Sequence, residues 1–143
     1  MHRTVLYYRI DQINQVANQL LAQRSCCFQF ALEGTLGAGK TTLAQAMLAQ
    51  LGITGHVMSP TFSYVNIYNA ADGTTVYHFD LYRLRSLDDF IALGFDEYLA
   101  DPYALCLIEW PEIIMPLLQS RVCFVTIEYH EQNERKLTYW CQP

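Results

Sequence analysis

The stretch "LEGTLGAGKTTLAQAML", residues 32–48, holds three glycines within six positions, followed by a lysine and two threonines. Gly34, four further residues and Gly39-Lys40-Thr41 match the phosphate-loop pattern G-x-x-x-x-G-K-[ST]. Glycine lacks a Cβ atom and tolerates positive φ, so successive backbone N–H groups can turn inward around an anion. An ordinary glycine turn before a helix would explain neither Lys40 nor Thr41. We therefore interpret this stretch as a phosphate-binding loop.

The residue types after the glycines predict how a nucleoside triphosphate would be held. Lys40 would reach the β- and γ-phosphates, and the Thr41 hydroxyl would take one coordination position on Mg²⁺. The helix that begins here would direct its positive end toward the charge. We expect Lys40 to face solvent until phosphate arrives.

The flanks of the loop have the strand and the helix that the motif requires. "CCFQFALE" (residues 26–33) is mostly apolar and predicts a buried strand. After the loop, apolar residues recur at helical spacing as far as about residue 51. These residues are Leu43, Ala46, Met47 and Leu51.

Strand and helix signals alternate along the whole chain, which predicts one layered α/β domain over residues 1–143. A strand at residues 4–8 precedes a helix from about Asp11, and a helix capped by Ser86 ends at Gly94. An Asp72-Gly73 turn predicts a hairpin. The hairpin strands would be "TFSYVNIYN" (61–69) and "TTVYHFDLY" (74–82), and later strands would be "ALCLIE" (104–109), "RVCFVTIEY" (121–129) and "RKLTYW" (135–140).

Two segments after the loop offer further site residues. Glu109 ends a buried apolar run, at the sheet edge where ligands bind in open α/β sheets. It could be a second magnesium ligand of the Walker B type, and the alternative is an exposed acid at the end of a strand. Thr61, held by Pro60, could sense a γ-phosphate or merely belong to a turn. His78, Asp80 and Tyr82 alternate with apolar residues and would share one strand face, which plain amphipathic patterning also explains.

Composition limits the classes of function. The chain has 143 residues, 52% hydrophobic, with a net charge of −5 and a pI near 5.2, and it lacks an apolar run of membrane-spanning length. We expect a soluble, cytoplasmic protein without an exported leader. Direct nucleic-acid binding is disfavoured, because Lys and Arg supply most of that affinity. Five cysteines without a C-x-x-C pair predict buried, reduced thiols. The four histidines have neither i, i+4 pairing nor the cysteine spacing typical of zinc, so we expect no transition-metal site.

Taken in order, "GTLGAGKTT", "SPTF", "YHFDLYRL" and "IEWPE" resemble the bacterial TsaE family over roughly residues 4–130. The resemblance implies a three-layer P-loop NTPase-like fold with a mostly parallel central sheet and an added β-hairpin. It also implies an ATPase required for N6-threonylcarbamoyladenosine at position 37 of tRNAs that read codons beginning with A. Its cofactors would be ATP and Mg²⁺. Its partner would be a TsaB–TsaD heterodimer that carries out the transfer, with tRNA contacted only through that complex.

The family's functional residues carry over by motif. Thr41 and Glu109 would hold Mg²⁺, Thr61 would lie in a switch segment, and Asp80 and Trp110 would serve catalysis. At the base end of the nucleotide, Asn14 stands where relatives often have threonine, and Glu134 and Arg135 compete for the position of an arginine; Asn14 and Arg135 are assigned to nucleotide binding. The phosphates are assigned to Leu36, Gly37, Ala38, Gly39, Lys40, Thr41 and Thr42.

Two other classes remain open on the residues alone. A small-molecule phosphotransferase kinase shares the loop but needs an acceptor pocket and usually several lid arginines, and here only Arg83 and Arg85 cluster. A nucleotide-dependent interaction switch, with incidental hydrolysis, is the non-enzymatic alternative. A small GTPase is disfavoured, because the sequence lacks its guanine-reading motif. With few arginines, we expect slow hydrolysis by the chain alone and acceleration by a partner.

Overall fold

A single seven-stranded sheet organises the computed structural model, which describes residues 1–55, 57 and 59–143. The strands are β1 (Thr4–Tyr8), β2 (Gln29–Glu33), β3 (Val65–Asn69), β4 (Thr75–Asp80), β5 (Leu105–Glu109), β6 (Val122–Tyr129) and β7 (Arg135–Gln142). Their order across the sheet is β1-β7-β6-β2-β5-β4-β3. The strand expected from residue 26 begins only at Gln29, because a 3-10 helix, Ala22–Ser25, and a turn precede it.

The sheet is mixed, so the expectation of a mostly parallel sheet is wrong. The central strands β6, β2, β5 and β4 are mutually parallel, whereas β1, β7 and β3 pair antiparallel at the two sides. The connection from β6 to β7, residues 130–134, is far too short for a parallel crossover, so β7 must return antiparallel. The predicted β3–β4 hairpin is confirmed, with Asn69 opposite Thr75 beside the turn.

Helices cover both faces of the sheet. They are α1 (Ile13–Leu21), α2 (Lys40–Gln50), α3 (Leu87–Ala92) and α4 (Phe95–Leu99), with 3-10 helices at Ile10–Gln12, Ala22–Ser25 and Pro111–Leu117. Ser86 caps α3 as predicted, since its hydroxyl accepts a 3.1 Å hydrogen bond from the backbone N–H of Asp89. Gly94 follows with φ 78°, and α4 begins directly after it, which the sequence did not predict. No helix within the described ranges is long and apolar enough to cross a bilayer.

Two apolar clusters pack against opposite faces of the sheet, which gives the chain its layered α/β architecture. On one face, Leu20 of α1 and Leu43 of α2 pack with Leu107 of β5. On the other face, Phe90 of α3 packs with Phe79 of β4 at 5.7 Å between ring centroids. The face that carries α2 also carries the polar side chains at the ends of β4 and β5.

Candidate nucleotide-binding site

The loop between β2 and α2 has a backbone that only glycine accommodates at two positions. A Cβ atom on Gly34 would lie 2.7 Å from the backbone oxygen of Ile127 on β6, a separation that side chains do not adopt. Gly39 has φ 110° and occupies the position before the first residue of α2. L side chains rarely adopt that conformation, so the loop enters the helix through a glycine. The strand–loop–helix arrangement predicted for residues 26–51 is present.

Lys40 is buried, with 5% of its surface exposed, so the expectation that it faces solvent is wrong. Its ammonium group donates hydrogen bonds to the backbone oxygens of Gly34 at 2.6 Å and Thr35 at 2.9 Å. The same Nζ lies 3.7 Å from the centre of the Trp110 ring. Burial lowers the pKa of Lys40, while nearby carboxylates, Glu109 foremost, act in the opposite direction. A phosphate would have to compete with these contacts.

Trp110 reaches Lys40 because of its backbone conformation. It follows the last residue of β5 and has φ 56° and ψ 58°, in the left-handed region. That region costs a non-glycine residue about 1–3 kcal/mol, which surrounding structure must offset. Here the indole lies over Lys40 and 4.9 Å from the Tyr82 ring, and Pro111 begins a 3-10 helix immediately afterward. Trp110 thus lies against Lys40, and its role in catalysis stays a prediction.

Glu109 is a buried carboxylate that joins the loop to the neighbouring strands. Its Oε1 accepts a hydrogen bond of 2.5 Å from the Thr41 hydroxyl, and its Oε2 lies 2.6 Å from Nε2 of His78 on β4. Both Glu109 and His78 are almost completely inaccessible to solvent. The alternative of an exposed strand-end acid is therefore excluded, and His78 is a partner that the sequence had placed only on a common face.

Asp80 is held by three donors. Its Oδ2 accepts hydrogen bonds from the hydroxyls of Ser59 and Thr61, each at 3.0 Å, and its Oδ1 accepts one of 3.1 Å from the backbone N–H of Tyr82. Ser59 was not among the predicted site residues, although it lies in the quoted "SPTF" segment. Tyr82 does not share the strand face of His78 and Asp80 as expected, because β4 ends at Asp80.

These groups surround a first cavity of about 410 Å³. The loop, the "SPTF" segment and the ends of β4 and β5 all contribute to it. Ten of the predicted site residues therefore meet at one place: three residues of the loop, Lys40, two threonines of α2, Thr61, the two acids and Trp110. Its lining comprises Leu36, Gly37, Gly39, Lys40, Thr41, Thr42, Ser59, Thr61, Asp80, Tyr82, Arg83, Glu109 and Trp110.

A second cavity of about 410 Å³ lies on the other side of the loop. Arg135 stands there, donating a 3.1 Å hydrogen bond to the backbone oxygen of Ala38 and stacking 4.2 Å from the ring centre of Tyr129, whose hydroxyl donates to Gly37. Arg135, rather than Glu134, thus occupies this end. The lining is Tyr8, Ile10, Ile13, Gly37, Ala38, Gly39, Thr42, Asn133 and Arg135.

Asn14, proposed for the base end, is exposed on α1 and is absent from the lining of both cavities. Its role stays a prediction. Ile10 and Ile13, neither of which was a predicted site residue, line the second cavity instead. Asn133, in the β6–β7 turn with φ 65°, also lines it, and no spacing rule in the sequence would have singled it out.

The donor set at Thr41 and Glu109 fits a magnesium ion. Mg²⁺ takes oxygen ligands at about 2.0–2.1 Å in octahedral geometry, which puts neighbouring ligand oxygens about 3 Å apart. The Thr41 hydroxyl and the Glu109 carboxylate offer two oxygens that are already in contact. Asp80 supplies a further carboxylate to the same cavity.

The sequence of this chain is similar to those of known proteins. The profile of the family described as "Threonylcarbamoyl adenosine biosynthesis protein TsaE" matches residues 8–137. The tRNA threonylcarbamoyladenosine biosynthesis protein TsaE of Haemophilus influenzae is 43% identical over 100 residues, which are 70% of this chain and 62% of that protein. The Bacillus subtilis protein of the same name is 40% identical over 109 residues, covering 76% and 66%.

A solved structure extends the likeness to the fold. The crystal structure of Bacillus subtilis YdiB aligns with a TM-score of 0.68 and 30% identity, covering 97% of this chain and 86% of that one. The chain matches less than two thirds of the length of the Haemophilus and Bacillus sequence relatives. The family profile nevertheless spans most of the chain, including the loop, Asp80 and Glu109. The chain therefore belongs to the TsaE family.

Proposed function

We propose that this chain is a P-loop ATPase that uses Mg²⁺ and supports synthesis of N6-threonylcarbamoyladenosine in tRNA, acting with a TsaB–TsaD heterodimer. The names of its relatives support the role in that modification. The observation that carries the ATPase assignment is the contact between Thr41 of the loop and Glu109 of β5. It brings two magnesium-type ligands together beside a backbone suited to phosphates.

Within this proposal, the loop would bind and orient the triphosphate. Its backbone N–H groups and the start of α2 favour negative charge, and Lys40 would exchange two carbonyl partners for phosphate oxygens. Trp110, packed on the lysine, would shield that exchange from water. When bound, Mg²⁺ would neutralise charge that develops on the phosphates. Glu109 is kept in place for it by His78.

Asp80 is the residue we propose to orient the attacking water. A carboxylate has about four acceptor sites, and three donors already contact Asp80. One site therefore stays available toward the cavity that Asp80 lines. Because Ser59 and Thr61 fix the carboxylate, a shift of their segment would move the water as well.

A partner could act through Arg83 and Phe62. Arg83 lines the first cavity, but its guanidinium lies 4.6 Å from the ring centre of Phe62, and Phe62 is 82% exposed. An arginine directed at the transferred phosphate is worth about 10³–10⁵ in rate. We infer that docking on Phe62 would release Arg83 toward the phosphates, so hydrolysis by the chain alone would be slow.

Steady-state ATP hydrolysis tests the proposal when measured for the chain alone, with the heterodimer, and with tRNA added. We expect slow turnover alone and acceleration by the heterodimer. Phe62→Ser should raise the basal rate, because it frees Arg83 without a partner, and should leave less acceleration for the heterodimer to supply. Tyr103→Ser, an equally exposed aromatic far from this segment in sequence, should change neither. Fast turnover by the chain alone, or no acceleration despite demonstrated association, would contradict the partner-activated ATPase. Phosphoryl transfer to a small-molecule acceptor would favour the kinase class.

A further inference from the structure

Three cysteines from two distant parts of the chain lie together at the end of the sheet opposite the phosphate loop. The sulfur atoms of Cys26, Cys27 and Cys141 are all within 4.8 Å of one another. The first two precede β2, whose far end leads into the loop, and the third lies in β7. Five strand residues at about 3.3 Å each separate this thiol cluster from the phosphate site.

The thiol cluster differs from the buried cysteines that the sequence predicts. Cys27 is buried, but Cys26 is exposed and Cys141 is partly exposed, so the cluster has a route from solvent. All three are free thiols. Cys123 of β6 lies opposite Cys141 in the strand register and adds a fourth, buried sulfur behind them.

The distances between the sulfurs suit metal coordination. A metal–thiolate bond of about 2.3 Å places neighbouring sulfurs about 3.8–4.0 Å apart in trigonal or tetrahedral geometry. The sulfurs of Cys26 and Cys27 are 3.8 Å apart. The remaining pairs lie within 4.8 Å, so closure requires a sulfur displacement of about 1 Å or less, within reach of a side-chain rotation.

Oxygens of Gln23 already hold the thiols in this arrangement. The Cys26 thiol donates to the backbone oxygen of Gln23 at 3.2 Å, and the Cys141 thiol donates to its side-chain oxygen at 3.6 Å. These S–H···O bonds fix the thiols in the metal-free chain and are lost when the protons leave. Burial, followed by hydrogen bonding to Cys141, raises the pKa of Cys27, so a metal must displace thiol protons to bind.

We propose that the thiol cluster binds one thiophilic d¹⁰ metal ion, Cu(I) or Zn(II), through Cys26, Cys27 and Cys141. Each S–H bond is replaced by a sulfur–metal bond, and each proton passes to water. Soft thiolates select these ions over Mg²⁺, whose hard oxygen ligands stand at the other end of the sheet. The two sites therefore take different ions without competing.

The test is an anaerobic titration of the reduced, full chain with Zn(II) and, separately, with Cu(I). Binding is measured by calorimetry and by the absorption band of the thiolate–metal bonds. We expect one equivalent to bind, and excess Mg²⁺ not to displace it. Cys26→Ser and Cys141→Ser should each weaken affinity by more than about 100-fold, since loss of only an outer contact of a ligand typically costs about 10–100-fold. Cys106→Ser is the matched control, because Cys106 is buried on the other face of the sheet beside the Tyr98 backbone and outside the cluster.

Thermal unfolding of each variant shows whether a loss of metal binding comes from loss of the fold. Cys26 is exposed, so its substitution should leave the fold intact. ATP affinity should be the same with and without the thiophilic ion. Absence of a saturable equivalent in the wild-type chain would overturn the proposal. So would equal loss in Cys106→Ser, or retained binding in the Cys26→Ser, Cys141→Ser double variant.

Discussion

The two cavities beside the phosphate loop have the same volume, about 410 Å³, but only the first contains acidic side chains. The first gathers Lys40, Asp80 and Glu109, whereas Ile10 and Ile13 contribute apolar surface to the second. The charged groups come from a contiguous motif and from the carboxyl ends of neighbouring parallel strands, which must meet at one edge. The second cavity is assembled from α1, the loop and the β6–β7 turn. The sequence therefore reveals the first cavity, whose charged residues follow a motif, but not the second, whose lining depends only on how distant segments pack.

The largest effect should come from Lys40→Ala, which removes the cation from the first cavity. We expect ATP hydrolysis to fall by about 10²–10³-fold or more, since electrostatic donors to a transferring phosphate are typically worth that much. Thermal stability should change little, because burial already disfavours the charged form of Lys40. Hydrolysis assays with a thermal melt measure both. Retained hydrolysis with ordinary Mg²⁺ dependence would falsify the phosphate-loop assignment.

Glu109→Gln should have the next largest effect and separate magnesium from phosphate binding. The amide keeps the size of the side chain but loses its charge, so we expect about a 10²-fold drop in hydrolysis. ATP affinity without Mg²⁺ should change by less than about threefold, because the loop would still hold the phosphates. Titrations with and without Mg²⁺ measure the difference. Equal losses in both would mean that Glu109 acts only on structure, through His78 and Thr41.

Thr61→Val tests whether the "SPTF" segment does more than hold Asp80. Ser59 and Thr61 donate to the same Asp80 oxygen at the same distance. A purely supporting role predicts equal effects, whereas a role at the phosphate predicts that Thr61→Val lowers kcat about tenfold and Ser59→Ala less. Single-turnover assays at saturating ATP compare them. Identical rates for both variants would mean that Thr61 acts only by holding Asp80 in place.

The smallest effects belong to the second cavity, where we propose that the base of ATP binds, and they compare two nearby residues of the chain. Ile10→Ala should weaken ATP affinity about three- to tenfold, because part of an apolar contact worth about 1.5–3 kcal/mol is lost. Asn14→Ala should leave it unchanged, since Asn14 lies outside the lining. Affinities for ATP and for inorganic triphosphate, which lacks the base, should diverge only for Ile10→Ala. If Asn14→Ala weakened ATP affinity more than Ile10→Ala did, the base would instead bind beside Asn14.

Much of the fold followed from local patterns. The strand at residues 4–8, the hairpin, the cap at Ser86 and the loop between strand and helix were all predicted, because each depends on neighbouring residues. The mixed sheet was not, since strand direction depends on which strands become neighbours. The second helix after Gly94 was missed because Gly94 looked like an end rather than a junction.

In the candidate site, too, some features could be predicted from local sequence and others could not. Glu109 was predicted from its position at a strand end and Asp80 from the resemblance, and the burial of both is a tertiary fact that sequence patterns do not contain. Lys40 was expected in solvent, because nothing in the local sequence indicates that Trp110 would fold over it. Cys26 and Cys141 lie 115 residues apart in the chain, so ligand-spacing rules could not bring them together.

The position of Trp110 gives the chain a built-in optical signal. An excited indole has a large dipole, so its emission responds to a charge as close as the Lys40 ammonium, 3.7 Å from the ring centre. The chain has two tryptophans, and the other, Trp140, stacks on Phe124 at 4.6 Å between ring centroids, away from the first cavity. Trp140 can therefore serve as a constant background. Any movement of Lys40 toward a phosphate can be followed as a change in fluorescence, in real time and without a label.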